Sequence, residues 1–284
     1  LSYTNPWKKE NSFIFNMPTL ERKLLGGEDK YRILCKLQEG AHGTVYLAED
    51  IHSQQRVAIK QISTSSKASR QAFLKEVEIA TAVSPHDCII TTMDTTCSVG
   101  IGSIVMPLIP HDLVDWLPSK RHTRRSLCKF FFQICQAIGH LHSLRIAHLD
   151  IKLENILVDS LGNALLCDFG SAHYFDDSLE HPVGTVLYWS PEKAQDTNFD
   201  KAAADVWSLG ILFYVLLTKS YPCVGTTEDE VINTLKNGKL SFHALESSKC
   251  SAAAKNLIHS MLQIQPSQRA TIADVLRDPF FAQL

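Results

Sequence analysis

Hydrophobic positions recur in two different rhythms along this chain. Tyr31–Leu37, Thr44–Glu49 and Gln55–Gln61 are short runs rich in Val, Ile, Tyr and Leu, parted by Gly, His and Ser turns. That pattern predicts an antiparallel meander. Ala68–Val83 changes to a helical spacing, with Phe73, Val77 and Ala80 on one face, Ser65 or Ser66 as a cap and Ser84-Pro85 as a stop. Two more strand-like runs follow, Ile89–Thr96 and Gly102–Leu108. Beyond Pro110 the pattern is mainly helical. Arg125–Leu144 and Ala203–Thr218 are long and apolar enough to be buried, and Thr227–Asn237, Ala252–Gln263 and Thr271–Arg277 are shorter helical stretches. Residues 1–30 show little period and several breakers (Asn5-Pro6, Met17-Pro18, Gly26-Gly27), and read as a surface extension with a short helix at Leu20–Leu25.

Strands first and helices later predict an α+β chain of two unlike lobes that meet near residues 107–111. The 284 residues suffice for that and for a sizeable core without disulfides. Charge is nearly balanced, 28 Lys+Arg against 30 Asp+Glu, which argues against a nucleic-acid partner. The longest apolar run, Ile211–Leu217, is seven residues, so no membrane span is expected. Eight cysteines without a C-x-x-C pair disfavour a zinc ribbon or a thioredoxin-type site and fit a reducing, intracellular compartment, cytoplasmic or nuclear.

Candidate chemistry begins in the meander. Gly40 and Gly43 stand in a turn between strands, where glycine lets backbone N–H groups approach a phosphate, although hairpin turns use glycine for their own geometry too. Lys60 ends the apolar run Val57-Ala58-Ile59, and reads either as an edge lysine facing water or as an ammonium held against a polyphosphate by an acid such as Glu76. The helical part carries the stronger signal. His148-Leu149-Asp150-Ile151-Lys152-Leu153-Glu154-Asn155 directly follows the long helix, and Asp168-Phe169-Gly170 comes thirteen residues after Asn155. Each Asp alone could be a turn residue and His148 a core histidine. Every additional fixed position, however, costs a chance match about a factor of 20.

With these motifs the chain resembles the eukaryotic protein kinase family over about residues 31–283. Gly184-Thr185 through Ser190-Pro191-Glu192 resembles the end of an activation segment. Asp205-Val206-Trp207 resembles the start of the family's buried central helix, and Arg269 stands where a partner of Glu192 is expected. The resemblance implies a bilobal fold: an extension at 1–30, a small antiparallel-sheet lobe with one helix at 31–106, a hinge at 107–110 and a larger, mainly helical lobe at 111–284. It implies ATP and Mg²⁺ as cofactors and transfer of the γ-phosphate to Ser or Thr hydroxyls of protein substrates.

The same resemblance assigns roles. Lys60, oriented by Glu76, would hold the α- and β-phosphates. Asp168 and Asn155 would bind Mg²⁺, a hard cation that takes oxygen ligands. Asp150 would orient the substrate hydroxyl or accept its proton, Lys152 would neutralise the γ-phosphate, and Thr185 would bridge the two. Leu37, Val45, Ala58 and Leu157 would enclose adenine with Met106 behind it. Pro107 would accept through its carbonyl and Ile109 donate its N–H. Cys167 reads as a thiol facing the nucleotide or as a packed one.

Gln38 stands at the usual first glycine of the loop, which would stiffen it. Leu149 replaces the usual Arg, and a leucine cannot bind a phosphorylated activation segment. Activity independent of such phosphorylation is therefore expected, with control left to the extension or a regulatory partner. Asp112 and Glu154 favour a basic residue upstream of the acceptor, although Val215 replaces a third carboxylate; Pro182, Val186 and Trp189 would line an apolar pocket for the residue after it. Two other readings compete. A scaffold without turnover would be expected to lack some of the polar set. A dinucleotide-binding oxidoreductase needs its glycine turn to open a helix, whereas here it opens a strand.

Overall fold

The computed structural model describes residues 24–25, 30–119 and 123–283. Most of the expected 1–30 extension lies outside them, but Leu24–Leu25 is extended and not helical. It forms β1, pairing with Leu25 opposite Tyr31. The chain separates into two compact units. One runs to Pro110 and takes in Asp168–Gly170, and the other holds His111–Cys167 and continues from Ser171.

The first unit is a six-stranded sheet with one helix. After β1 come β2 (Tyr31–Gly40), β3 (Gly43–Asp50), β4 (Arg56–Ser63), α1 (Lys67–Ala82), β5 (Asp94–Ser98) and β6 (Ile101–Pro107), in spatial order β1-β2-β3-β4-β6-β5. Tyr31, Ala48, Val57, Ile59 and Val105 form the apolar core of one sheet face. Ser66 caps α1 in a reciprocal hydrogen-bond box with Ser69, and Phe73, Glu76, Ile79 and Ala80 are its buried stripe.

The fourth expected strand is displaced. Ile89 and Ile90 are buried, Ile89 in a single β-bridge and not a strand, and the strand that forms is the polar Asp94–Ser98. An apolar run by itself cannot separate buried loop from strand. β5 lies at the sheet edge, where one side stays wet, so polar residues are tolerated there.

The second unit is mainly helical. It contains β7 (His111–Asp112), α2 (Leu113–Trp116), α3 (Arg124–Ser143), β8 (Ile146–Ala147), β9 (Ile156–Val158), β10 (Ala164–Leu166), β11 (His173–Tyr174), α4 (Pro191–Gln195), α5 (Lys201–Thr218), α6 (Glu228–Lys236), α7 (His243–Glu246), α8 (Ala252–Met261) and α9 (Ile272–Leu276). Thr123 caps α3 and Asp200 caps α5. The two long helices meet at Phe131 and Phe213, whose rings stack with centroids 4.1 Å apart. By length and composition α5 could cross a membrane, but 78% of it is buried inside the protein, as expected of a core helix. Among the described residues no other helix meets that measure.

Candidate active site

In the first unit, strand register gathers the expected nucleotide residues. Val45 lies opposite Lys60 and Ala58 opposite Met106, so all four side chains share the sheet face away from the apolar core. Leu37 is exposed within β2 at a register shift between Lys36 and Gln38, Pro107 closes β6 opposite Val57, and Ile109 follows, half-buried. The turn between β2 and β3 is just Ala41-His42, flanked by Gly40 and Gly43. Gly43 has φ +129°, and a Cβ there would lie 2.3 Å from the Gln61 carbonyl oxygen, so no side chain fits. A Cβ on Gly40 would touch nothing; the chain's own packing does not require that glycine.

The ionic centre of this unit is Lys60. Glu76 sits on the buried stripe of α1, and its Oε1 accepts from Lys60 Nζ at 2.6 Å. Asp168 Oδ1 accepts from the same ammonium at 2.7 Å and from the Gly170 N–H at 3.1 Å. Burial works against the Lys60 charge, but the two carboxylates outweigh it and hold its pKa above the ordinary value. Burial raises the Glu76 pKa despite Lys60. Asp168 goes the other way. Burial would raise it, yet His42 and Lys60 together keep it ionised far below the usual carboxylate range. One ammonium between two carboxylates leaves formal negative charge over.

In the second unit Asp150 is the centre, 3% exposed and fully engaged. Its Oδ1 accepts from the backbone N–H and the hydroxyl of Thr185, both at 2.8 Å, and its Oδ2 from Asn155 Nδ2 at 3.0 Å. Lys152 Nζ lies 2.8 Å from that same Oδ2 and donates to Thr185 Oγ1 at 2.9 Å. Burial would raise the Asp150 pKa, but Lys152 and Thr185 overcome it and lower the value, so the group is an anion. Asn155 spends its amide N–H₂ on the Asp150 carboxylate and carbonyl, so its side-chain oxygen is left with an acceptor's chemistry. Leu157 pairs with Asp112 and Leu165 in the sheet of β7, β9 and β10.

The loop carrying Asp150 is pinned from beneath. Asp205 on α5 is completely buried and accepts from the His148 and Leu149 N–H groups, each at 2.8 Å, and contacts His142 Nε2 at 2.9 Å. Leu149 itself has φ +63°, a strained conformation for leucine. The turn aims its carbonyl at Lys193, whose Nζ donates at 2.9 Å. Gly184 must be glycine here, since a Cβ would lie 2.2 Å from that carbonyl oxygen. Lys193 is 2% exposed, and burial lowers its pKa to about 8. His148 is wholly buried, its ring facing the Cys167 carbonyl and the Asp150 N–H. Cys167 is half-buried with its Sγ 3.4 Å from the Asn155 carbonyl. Arg269 grips Glu192 through two bonds, 2.6 and 3.0 Å, and both nitrogens also reach backbone carbonyls.

Sequence reasoning assigns no site role to Lys193, Asp205 or His142. A lysine on a five-residue helix reads as solvated, and only its apolar neighbours in the folded chain reveal otherwise. Val215, expected where some kinases carry a substrate-facing carboxylate, is buried within α5. Pro182, Val186 and Trp189 are half-buried, and Trp189 Nε1 donates to the Gly184 carbonyl at 3.2 Å.

Comparison with known proteins agrees with this architecture. The protein kinase domain family matches residues 31–281. The chain is 32% identical over 260 residues to putative sperm motility kinase W of Mus musculus, covering 88% of this chain and 50% of that protein. It is 29% identical to serine/threonine-protein kinase cds1 of Schizosaccharomyces pombe, with 96% and 64% covered. It is 31% identical to CBL-interacting protein kinase 31 of Oryza sativa subsp. japonica, with 89% and 57% covered. This chain belongs to the protein kinase domain family, and its α+β fold of a sheet unit and a helical unit is that family's. It spans between half and two thirds of the length of these relatives.

Proposed function

We propose that this protein is an ATP-dependent serine/threonine protein kinase. The observation that carries the reading is the ionised Asp150, held by Lys152, Asn155 and Thr185 within 3.0 Å. A scaffold without turnover has no need of a buried carboxylate with this many donors, since burying it costs free energy. Phosphoryl transfer is a task of positioning and charge neutralisation, and magnesium-bound ATP supplies the phosphoryl group and a counter-charge for it. The residues present fit such a group. Asp168 is an anion with formal negative charge left over beside Lys60, and Asn155 offers a neutral oxygen. Each is a hard oxygen donor of the kind Mg²⁺ takes, since that ion uses one or two protein oxygens and keeps waters and phosphates for the rest.

In this reading Lys60, braced by Glu76, holds the α- and β-phosphates, and Val45, Ala58 and Met106 give adenine an apolar face with Leu37 and Leu157. Pro107 accepts through its carbonyl and Ile109 donates its N–H. Gly40 and Gly43 let the turn backbone approach phosphate. Asp150 orients the acceptor hydroxyl and takes its proton. Lys152 shares Thr185 with Asp150 and balances charge at the transferring group. A transfer assay with Mg-ATP and a peptide library, run beside Asp150→Asn, tests this. Incorporation lost in the variant supports the reading; no incorporation by either protein favours the scaffold.

Activity without activation-segment phosphorylation is the second element. Leu149, where the family commonly has Arg, packs with Ala147, Leu179 and Ala204, and Phe175, Val183 and Phe199 lie against that cluster. Apolar packing thus joins the loop of Asp150 to the segment around Leu179, where a phosphate–arginine pair would otherwise act. Phosphatase treatment that cut activity a hundredfold, with recovery on rephosphorylation, would refute it.

For substrates, a basic residue upstream of the acceptor is favoured by Glu154. Its Oε2 is buried without a hydrogen-bond partner, and burial together with Asp112 and Asp150 raises its pKa. A guanidinium would satisfy that oxygen. A positional-scanning library should show an Arg or Lys preference that Glu154→Gln weakens. The eight free thiols favour an intracellular setting, and recovery of the protein from the secretory pathway would count against it. A regulatory protein partner, as the name of the rice relative records for that kinase, is part of the same proposal.

A further inference from the structure

The backbone that carries Asp150 is held as firmly as its carboxylate. Lys193 on α4 is 2% exposed, and its Nζ donates to the Leu149 carbonyl at 2.9 Å. That carbonyl shares one rigid peptide plane with the Asp150 N–H, which points the opposite way, to His148 Nδ1, at 3.3 Å. The next peptide is held too, since the Asp150 carbonyl accepts from Asn155 Nδ2 at 2.8 Å. Leu149 has φ +63°, so the plane is fixed in a turn that leucine does not favour. Gly184 closes in on the same carbonyl, where an added Cβ would lie 2.2 Å from its oxygen and 3.2 Å from Asp150 Oδ1. The ring centroids of Trp189 and Phe199 flank the Lys193 ammonium, 5.8 and 5.9 Å from Nζ. The charges that face it are Asp205 on α5, Asp150 on the loop and Glu192 on its own helix, and Arg269 holds Glu192.

On the kinase reading above, in which Asp150 meets the acceptor hydroxyl, we propose that Lys193 is a positioning residue for Asp150: its ammonium holds the Leu149 carbonyl in this left-handed turn and so sets the direction in which Asp150 presents its carboxylate. Leverage makes the contact matter. A planar peptide moves as a unit, so tilting the Leu149 carbonyl turns the Asp150 Cα and swings its side chain with it. A strained φ relaxes when the contact that enforces it is lost. A charged donor makes the stronger bond to a carbonyl, and an apolar side chain at 193 makes none. Burying that ammonium is costly, and desolvation lowers its pKa to about 8. An apolar side chain would avoid the cost, so stability alone gives no reason for a cation here. Misplacing a proton acceptor costs rate more than binding, and an error near 1 Å costs about 100-fold.

The test compares wild type with Lys193→Met and Lys193→Arg in phosphate transfer from Mg-ATP to a peptide and in binding of a fluorescent ADP analogue. Lys193→Met should lose about 10- to 100-fold in kcat near pH 7, with peptide KM and analogue affinity within about threefold of wild type. Retained analogue binding also shows that the variant is folded. Lys193→Arg keeps a permanent charge and should recover part of the loss. Lys193 is charged below about pH 8 and neutral above it. A neutral amine makes the weaker hydrogen bond, so the kcat gap between wild type and Lys193→Met should narrow toward about pH 9.5, with no such change for Lys193→Arg. Equal kcat in wild type and Lys193→Met would overturn the inference. So would a loss confined to peptide KM, because Lys193 would then act on the substrate through Trp189. A kcat gap that stays constant with pH would also overturn it, since packing and not charge would then be responsible. Loss of analogue binding along with kcat would make Lys193 a folding residue only, and overturn it too. No phosphate incorporation by wild type would instead defeat the kinase reading on which this one stands.

Discussion

The two groups of ionisable residues follow opposite plans. Around Asp150 every partner but Thr185 lies within five residues in the chain, and the loop is fixed by backbone N–H groups that donate to Asp205. Around Lys60 the partners are 16 and 108 residues away, drawn from a helix and a distant turn. The Asp150 group closes its hydrogen bonds on itself and needs nothing added to be satisfied. The Lys60 group is left with formal negative charge and with an Asp168 oxygen that faces the His42 imidazole at 3.7 Å. Local construction yields a buried carboxylate whose acceptors are filled by near neighbours in the chain, and long-range construction yields an ammonium shared between two carboxylates from distant segments.

That contrast can be broken most directly at the two centres. Asp150→Asn should lower kcat by about 10²- to 10⁴-fold with nucleotide affinity retained. Lys60→Met should lower both, and a variant of Lys60 that kept full nucleotide affinity would erase the distinction. Next in size is stability. Asp205→Ala strips an acceptor from two buried N–H groups and His142, and should cost about 3–5 kcal/mol in denaturant unfolding. Glu76→Gln keeps a side chain of the same shape at the Lys60 centre and should cost less.

Lys193 sharpens the comparison through pH. Its pKa is about 8 when folded against an ordinary 10.5, so between those values the unfolded chain binds more protons. Stability should therefore rise with pH across that window, because the buried charge is relieved there. At about 1.4 kcal/mol per pKa unit, wild type should gain about 3 kcal/mol relative to Lys193→Met from pH 8 to 10.5. A flat difference would place Lys193 outside the buried network. The smallest effect is expected at Ser178, the exposed hydroxyl among Ser171, Tyr174, Ser178 and Thr185. Ser178→Ala should leave activity within about twofold, since the segment is joined by Leu149 and Leu179 and not by a phosphate.

Much of the fold is legible in the residue pattern because it is local. The meander, the helix with Glu76 and the two long helices follow from period and caps, and their observed ends differ by a few residues at most. Leu24–Leu25 reads as helix in the pattern because two leucines carry no period, and only Tyr31 and Arg32 opposite them define a strand. Ile89 and Ile90 read as strand because burial and extension look alike in a short apolar run. Lys193 and Asp205 do not stand out as site residues, since neither is near Asp150 in the chain.

The amino-acid order by itself determined which chemistry is available: an ammonium in an apolar strand, a carboxylate–lysine–asparagine loop, and two glycines at a turn between strand-like runs. Side-chain type and short-range spacing are enough for that. Only the tertiary structure decided which charges meet. Whether Lys60 faces Glu76 and Asp168, whether Lys193 is buried beneath Leu149, and whether His42 lies on Gly170 depend on contacts between segments far apart in the chain. Those contacts are chosen by how sheet and helices pack, and burial then sets the protonation of every group they enclose.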